Sequence, residues 1–322
     1  MNIIPADQAA QAAQEILHEV QSVVVGKDQI ILKVLLAILA RGHVLLEDMP
    51  GVGKTTLALA FAKTLNLEYH RLQFTPDVLP SDVTGFTVYQ KSTGEMEFKR
   101  GVAFCNLLLA DEINRTSPKT QSALLELMEE SAVTVDGVTY PLPDPFTVLA
   151  TQNPTGSVGT QMLPESQLDR FMLCLHMGYP DLDSEVSIMQ ARSSDNPLDH
   201  VRSAVTQSEL MDLQDTAAQV YVDETILHYI AELSGATRSH ALIRLGVSPR
   251  GSLALCAAAK ATALVRGRDY VIPDDIRVIL NETFAHRLLL TPRAKAEKRT
   301  AEQILNEILD KTPEPPLKRY RT

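Results

Sequence analysis

His43-Val44-Leu45-Leu46-Glu47-Asp48-Met49-Pro50-Gly51-Val52-Gly53-Lys54-Thr55-Thr56-Leu57-Ala58-Leu59-Ala60-Phe61-Ala62 is the stretch on which the fold turns. Its first residues, His43 to Glu47, form a short apolar run of strand character. A loop with two glycines follows, then Lys54-Thr55, then a helical pattern from Leu57. This order suits a bound phosphate. Gly51 and Gly53 let the backbone bend so that its N–H groups point at β- and γ-phosphates. The positive end of the following helix adds to that field. Lys54 supplies a mobile charge, and the Thr55 hydroxyl can hold Mg²⁺. The common phosphate-loop pattern begins with a glycine where this chain has Asp48. A carboxylate there would repel a triphosphate unless it points away.

Working outward, short apolar runs alternate with helical patterns. Strands are expected at His43–Glu47, Glu68–Phe74, Asn106–Ala110, Phe146–Thr151 and Met172–Met177. Several are apolar throughout, as strands are when helices cover both faces of a parallel sheet. Ser117-Pro118 gives a capped helix start, and the helix closes over Glu126 to Glu130. Two hairpins are expected as insertions outside the sheet. Phe86–Gln90 and Glu95–Lys99 flank Lys91-Ser92-Thr93-Gly94, and Ala132–Val135 and Val138–Tyr140 flank Asp136-Gly137.

From Pro180-Asp181-Leu182-Asp183 onward the pattern becomes helical, with little strand signal. Ser193 to Pro197 has the character of a linker. Ser248-Pro249 opens an alanine-rich helix that ends near Gly267, and Pro273-Asp274-Asp275 opens another. The expected organisation is an α/β domain over 1–190, an all-helical domain over 198–312 and a frayed tail over 313–322.

Two strand ends carry candidate chemistry. Asn106 to Ala110 leads into Asp111-Glu112, and Phe146 to Thr151 leads into Gln152-Asn153. Taken alone, two acids there are a solvated strand end, and an asparagine before Pro154 is a cap. Parallel sheets change the weighting, because ligands collect at the carboxyl ends of their strands. Asp111 would then face the Mg²⁺ held by Thr55. Glu112 would polarise an attacking water, and Asn153 would orient it or contact the γ-phosphate.

Composition bounds the class. The chain has 322 residues, 45% hydrophobic and 22% charged, which is ordinary for a globular protein. Its longest clean apolar run, Val34 to Ala40, is far short of the ~20 residues of a membrane span. The start lacks a basic segment, so a secretory leader is not expected and a cytoplasmic location is. The formal net charge of -10 argues against non-specific nucleic-acid binding. Cys105, Cys174 and Cys256 are far apart and include no C-x-x-C pair. They suggest neither a disulfide framework nor a zinc site, only buried thiols.

Taken together, these residues resemble a family. Gly51-Val52-Gly53-Lys54-Thr55, Leu109-Ala110-Asp111-Glu112-Ile113-Asn114-Arg115 and Ala150-Thr151-Gln152-Asn153-Pro154 are similar to the Walker A, Walker B and sensor 1 motifs of AAA+ ATPases. Leu46 to Gly51, Thr75 to Asp82, Pro118 to Leu125, Leu163 to Phe171, Gly246 to Arg250 and Tyr270 to Asp275 resemble the MoxR branch. The likeness runs from about Val23 to Leu290. An acidic residue at the Asp48 position is common in that branch.

The resemblance implies a parallel-sheet P-loop AAA+ core with a C-terminal helical lid. It implies ATP and Mg²⁺ as cofactors, with nucleotide contacts from Val25, Gly26, Pro50, Gly51, Val52, Gly53, Lys54, Thr55, Thr56 and Asp111, the metal resting on Thr55 and Asp111. Arg170 matches the arginine finger that reaches the neighbouring subunit's γ-phosphate. Arg250 matches sensor 2, through which the lid feels the nucleotide. As a lone cation at a helix N-terminus it is electrostatically awkward, and a phosphate in front of it would remove the conflict. The family has Gln where this chain has Lys27, so no base contact is assigned to Lys27. The two hairpins match the helix-2 insert and the pre-sensor 1 hairpin, which face a central pore. The implied function is ATP hydrolysis in a homo-oligomeric, hexameric ring that remodels a client protein, with a von Willebrand factor A domain partner. A nucleic-acid motor, a metal-chelatase motor subunit and a nucleotide-gated scaffold stay open as alternatives.

Overall fold

The computed structural model describes residues 2–49, 51–153, 163–192 and 196–316. Among these described residues, nine strands form in the first part of the chain: β1 Val44–Glu47, β2 Tyr69–Gln73, β3 Gly85–Gln90, β4 Glu95–Arg100, β5 Leu107–Asp111, β6 Ala132–Val135, β7 Val138–Pro141, β8 Thr147–Gln152 and β9 Leu173–Leu175. Five of them make one parallel sheet in the order β2-β5-β8-β1-β9. Strands and helices thus fall where the sequence pattern puts them, apart from shifts of one or two residues at most ends.

The period-2 geometry of a strand explains why β1, β5, β8 and β9 are mostly apolar on both faces, whereas β2 at the sheet edge is only half-buried. Val44, Leu46, Leu107, Leu109, Leu149, Leu173 and Leu175 enter one buried cluster. Their strand neighbours Leu45, Leu108, Ala110, Val148, Ala150 and Cys174 enter another, on the opposite face. A leucine fully buried in such a layer contributes roughly 1.5–3 kcal/mol relative to exposure.

β9 is shorter than its expected span of Met172–Met177. Past Leu175 the next backbone N–H groups find side-chain partners: Met177 N and Gly178 N both donate to the Asp48 carboxylate, the latter at 3.1 Å. The chain therefore turns toward the phosphate loop instead of extending the strand.

Both hairpins are separate two-stranded sheets, β3-β4 and β6-β7, outside the five-stranded one. Asp136 and Gly137, at φ 49° and 80°, supply the paired left-handed residues of a type I′ turn. The hairpins pack on each other. Phe98 and Tyr140 stack with ring centroids 4.0 Å apart, and Thr87 Oγ1 donates to Asp136. The tip of the first hairpin, 91–94, is exposed. Shortening this tip to a two-residue turn should therefore cost less than about 0.5 kcal/mol, the usual ceiling for a surface change. Thermal melting checks this, and a large loss of stability would show that the tip packs internally.

From Leu182 on, the described residues are mainly helical. The main helices are Gln207–Gln219, Glu224–Ser239, Pro249–Val265, Pro273–Phe284 and Ala301–Lys311. Ser248 caps the alanine-rich one through Gly251 N at 3.3 Å. Buried Asp275 explains the Pro273-Asp274-Asp275 start: its carboxylate accepts from Ile272 N at 2.9 Å and from Arg268 at 2.5 and 2.7 Å. One strand pair went unforeseen here. β10 Ile243–Leu245 and β11 Leu289–Leu290 are antiparallel and too short to leave a period-2 pattern. The N-terminal helices Ala6–Gln21 and Asp28–Leu39 pack on Pro249–Val265. One apolar cluster therefore runs from Ala9 through the sheet to Leu309. Of the linker 193–197, residues 193–195 lie outside the described residues; Pro197–His200 is a 3₁₀ turn capped by Asn196. Residues 317–322 of the expected tail also lie outside them. Cys105 and Cys174 are buried as expected, whereas Cys256 is only partly so. Among the described residues, no helix is long and apolar enough to cross a membrane.

Candidate functional site

β1, β5 and β8 are neighbours and parallel, so their carboxyl ends meet at one edge of the sheet. The glycine loop leaves from β1, Asp111-Glu112 from β5 and Asn153 from β8. The sequence expected these three segments to converge, and the topology brings them together.

Gly51 and Gly53 have φ of 88° and 99°, and a Cβ built on either would meet nothing within 4 Å. The loop is an open cradle, fit for a ligand with several acceptor oxygens. Gly53 precedes the helix Lys54–Thr64, whose first N–H groups lack intrahelical partners. Buried Lys54 sends Nζ back to the Asp48 carbonyl oxygen at 2.9 Å. Burial pulls its ammonium below the usual range, although Asp111, Asp48 and Glu112 pull the other way. An anion in the cradle would complete its charge balance. The Asp48 carboxylate is occupied by Met177 N and Gly178 N, so it does not face the loop. That removes the repulsion its position in the sequence suggested. Thr55 and Thr56 lie in the first turn of the helix; Pro50 and Pro154 lie outside the described residues.

On the acidic side, Asp111 Oδ1 accepts from Thr151 Oγ1 at 2.6 Å, and Oδ2 from Arg71 at 2.7 Å. Each oxygen keeps a lone pair for a metal or its water. Glu112 sits at φ 58°, a left-handed conformation rare for a residue with a side chain. Its N–H donates to Thr151 Oγ1 at 2.8 Å, which helps hold that strained turn. Its carboxylate accepts from Asn153 Nδ2 at 3.0 Å and from Arg115 at 2.8 Å. Burial works to raise the Glu112 carboxyl, but these two donors and the Arg115 charge outweigh it and keep it below the usual glutamate range. The group is held ionised, as a base must be. Among the described residues, Asn153 Oδ1 is buried with no hydrogen-bond partner, and a polar ligand would satisfy it.

A groove of about 390 Å³ runs from the loop to the N-terminal segment, lined by Val24, Val25, Gly51, Val52, Thr56 and Tyr179 among others. Its lining mixes apolar side chains such as Val24, Val25, Ile188 and Met189 with the open glycine loop, a combination that suits a nucleoside phosphate. Gly26, at φ 73°, lets the chain pass close to Ser184, whose Oγ a Cβ would meet at 2.2 Å. Lys27 Nζ is tied to the carbonyls of Met177 and Tyr179, at 2.6 and 2.9 Å.

Arg170 and Arg250 are not in this site. Both pair with Glu129, at 2.9 and 3.0 Å, and Arg170 also donates to the Leu125 carbonyl at 2.8 Å. Met172 N bonds His43 O, and Val44 pairs with Leu173, so Arg170 stands at the amino end of β1. The phosphate loop leaves the carboxyl end, about 13 Å away at ~3.3 Å per residue. The cation at the start of the Pro249–Val265 helix is thus balanced by Glu129 within the same chain. Nearby, Asp169 accepts from Arg287 Nε and Ser248 Oγ, both at 2.8 Å.

Sequence reasoning assigned no role to Arg71, Thr151, Arg115, Glu129 or Arg287. Arg115 had a signal, three residues after Glu112 across a turn. Arg71 and Thr151 become partners of Asp111 only through the strand order, which a single segment does not encode.

A profile of the "ATPase family associated with various cellular activities (AAA)" matches residues 43–173, and one of the "AAA lid domain" matches 235–308. YeaC, an uncharacterized protein of Bacillus subtilis, is 49% identical over 92% of this chain and 96% of its own. Chaperone MoxR1 of Mycobacterium tuberculosis is 39% identical over 91% of this chain and 80% of its own. A crystal structure from Cytophaga hutchinsonii superposes with a TM-score of 0.90 at 40% identity, covering 97% of both chains.

Proposed function

The chain belongs to the MoxR-type AAA+ ATPases, and from that premise we propose that it binds ATP with Mg²⁺ and hydrolyses it in a homo-oligomeric, hexameric ring that remodels or activates a client protein. One observation carries the reading. An open glycine cradle, an ionised Glu112 and a half-satisfied Asn153 meet at one end of one parallel sheet.

The roles follow from the donor sets. The loop backbone and Lys54 bind the phosphates, flanked by Pro50, Val52 and Thr56. Val25 and Gly26 pack on the base. Thr55 and Asp111 would hold Mg²⁺, which would supply neutralisation of phosphate charge. Glu112 takes the proton of the attacking water, and Asn153 orients it. Arg170 and Arg250, at the amino end of their own sheet, act on the nucleotide of the adjoining subunit, Arg250 as sensor 2 in trans. Residues 1–190 serve as the nucleotide-binding unit and 198–312 as the lid. The exposed tip of the first hairpin supports contact with the client in the pore. A MoxR1 relative named a chaperone supports the client role, for which a von Willebrand factor A domain protein is the partner we propose. The cytoplasm is the location that fits.

Lys54→Ala tests the site. Loss of charge-assisted contacts worth about 1.5–3 kcal/mol should weaken ATP binding by about 10- to 100-fold and abolish turnover. Fluorescent-nucleotide titration and phosphate release measure the two. Unchanged affinity would remove the phosphate-loop assignment, and a wild-type chain that binds ATP without turnover would favour a nucleotide-gated scaffold.

A further inference from the structure

We infer that Glu47, Cys174 and His176 form a binding site for a zinc-type divalent cation, one residue upstream of the phosphate-loop segment and independent of it. The register explains how they meet. Leu45 pairs with Cys174 and Leu46 with Leu175, which places Glu47 beside His176. By the period of 2, Glu47, Cys174 and His176 then share one face of the sheet. One ligand atom from each residue lies within 4.8 Å of the other two. Glu47 Oε2 is 3.7 Å from Cys174 Sγ and 3.8 Å from His176 Nε2. Around a tetrahedral zinc ion with ordinary bond lengths such atoms stand roughly 3.3–3.6 Å apart, so the two Glu47 separations need to close by only a few tenths of an ångström, and the exposed His176 ring turns to meet Cys174 Sγ, which lies within 4.8 Å.

The surrounding hydrogen bonds orient the three ligands. His176 Nδ1 faces the Glu47 carbonyl oxygen at 2.9 Å. A carbonyl only accepts, so the ring proton sits on Nδ1 and the Nε2 lone pair is directed to the cluster. Gln152 Nε2 donates to Glu47 Oε1 at 2.7 Å and leaves Oε2 for the other two residues. A backbone carbonyl behind the histidine and an amide behind the carboxylate are how metal ligands are fixed. A cavity of about 320 Å³ between these strand ends and the helices Asp28–Leu39 and Pro273–Phe284 opens on the cluster. It gives an ion a path and leaves room for a water as fourth ligand.

Without an ion, Cys174 is a neutral thiol that donates to Glu47 Oε2 at 3.7 Å. Burial and the Glu47 charge push the Cys174 thiol well above its usual range. A dication changes that balance. The S–H proton leaves to solvent, an S–metal bond forms, and one thiolate with one carboxylate matches two positive charges. Sulfur, nitrogen and oxygen donors together select zinc over magnesium or calcium.

The test uses the full chain, stripped of metal by a chelator and free of nucleotide and Mg²⁺. Titration with Co²⁺ should bind one equivalent, with a thiolate-to-cobalt charge-transfer band and the visible bands of a tetrahedral ion, and Zn²⁺ should displace it. Cys174→Ser should abolish the charge-transfer band, whereas Cys105→Ser and Cys256→Ser should keep it. Gln152→Ala should weaken affinity by about 10–100-fold, and His176→Asn by at least as much. The His176 ring is exposed, so that variant folds even if Cys174→Ser does not. No charge-transfer band at one equivalent, a band that survives in folded Cys174→Ser, or unchanged affinity in His176→Asn would each overturn the site. Cobalt bound only at Thr55 and Asp111 would show no thiolate band.

Discussion

Glu112→Gln is expected to keep ATP bound and to stop its hydrolysis. Glutamine preserves the length and planarity of the side chain, so the turn at residue 112 and its bond to Thr151 survive. Its oxygen can still accept from Arg115. What disappears is the ionised carboxylate, which the hydrogen bonds from Arg115 and Asn153 hold below the usual glutamate range. A positioned base contributes about 10²–10⁴ in rate, or ~3–5 kcal/mol of barrier. Binding rests on other groups, the loop backbone and Lys54, and should change little. The pH dependence has a definite sign. The base works deprotonated and its value is lowered, so turnover should hold as pH falls to the ordinary glutamate range and decline only below it. Equilibrium nucleotide binding and steady-state phosphate release separate the two effects. Near-wild-type turnover in this variant would make Glu112 a structural strand end.

Much of this site was visible in the chain, for reasons of locality. The phosphate loop, its helix and the acidic strand end are each contiguous, so their spacing carries the chemistry. Four of the five sheet strands, β1, β5, β8 and β9, were visible because a sheet covered on both faces favours apolar residues at successive positions; β2, at the edge, is half-exposed. The contents of the helical part were visible through its caps, as at Ser248-Pro249 and Asp275. The unseen features are pairings between distant segments. Arg71 meets Asp111 because β2 lies beside β5. Arg170 and Arg250 meet because Glu129 ends a helix that brings it to the amino edge of the sheet. The thiols illustrate the same limit. Spacing among cysteines says nothing of Cys174, whose neighbours Glu47 and His176 come from strand register. Asp48 taught the converse. Its charge looked unsuitable beside a phosphate until two backbone N–H groups of the next strand's exit accounted for it.

The second large effect belongs to Arg170. In its own chain the guanidinium is held by Glu129 and the Leu125 carbonyl, at the end of the sheet opposite the phosphate loop. It is partly exposed there, with 30% of its side chain accessible, and Arg250 shares the same carboxylate. A phosphate arriving from a neighbouring subunit would offer both arginines a stronger acceptor than one shared, half-exposed glutamate. An arginine finger accelerates phosphoryl transfer by about 10³–10⁵, or ~4–7 kcal/mol, because it meets charge that develops in the transition state. Arg170→Ala should therefore bind ATP normally and assemble, yet hydrolyse it poorly. Its fold should barely change, since Glu129 keeps Arg250 and an exposed ion pair contributes at most about 1 kcal/mol. Lys54→Ala fails for the complementary reason: its pocket is disabled while its finger is intact. Mixing the two inactive proteins places some intact pockets beside intact fingers, and ATPase activity should partly return as the concentration of mixed assemblies rises. Silence in mixed assemblies whose formation is demonstrated, together with wild-type turnover by Arg170→Ala alone, would make Arg170 an ordinary surface arginine.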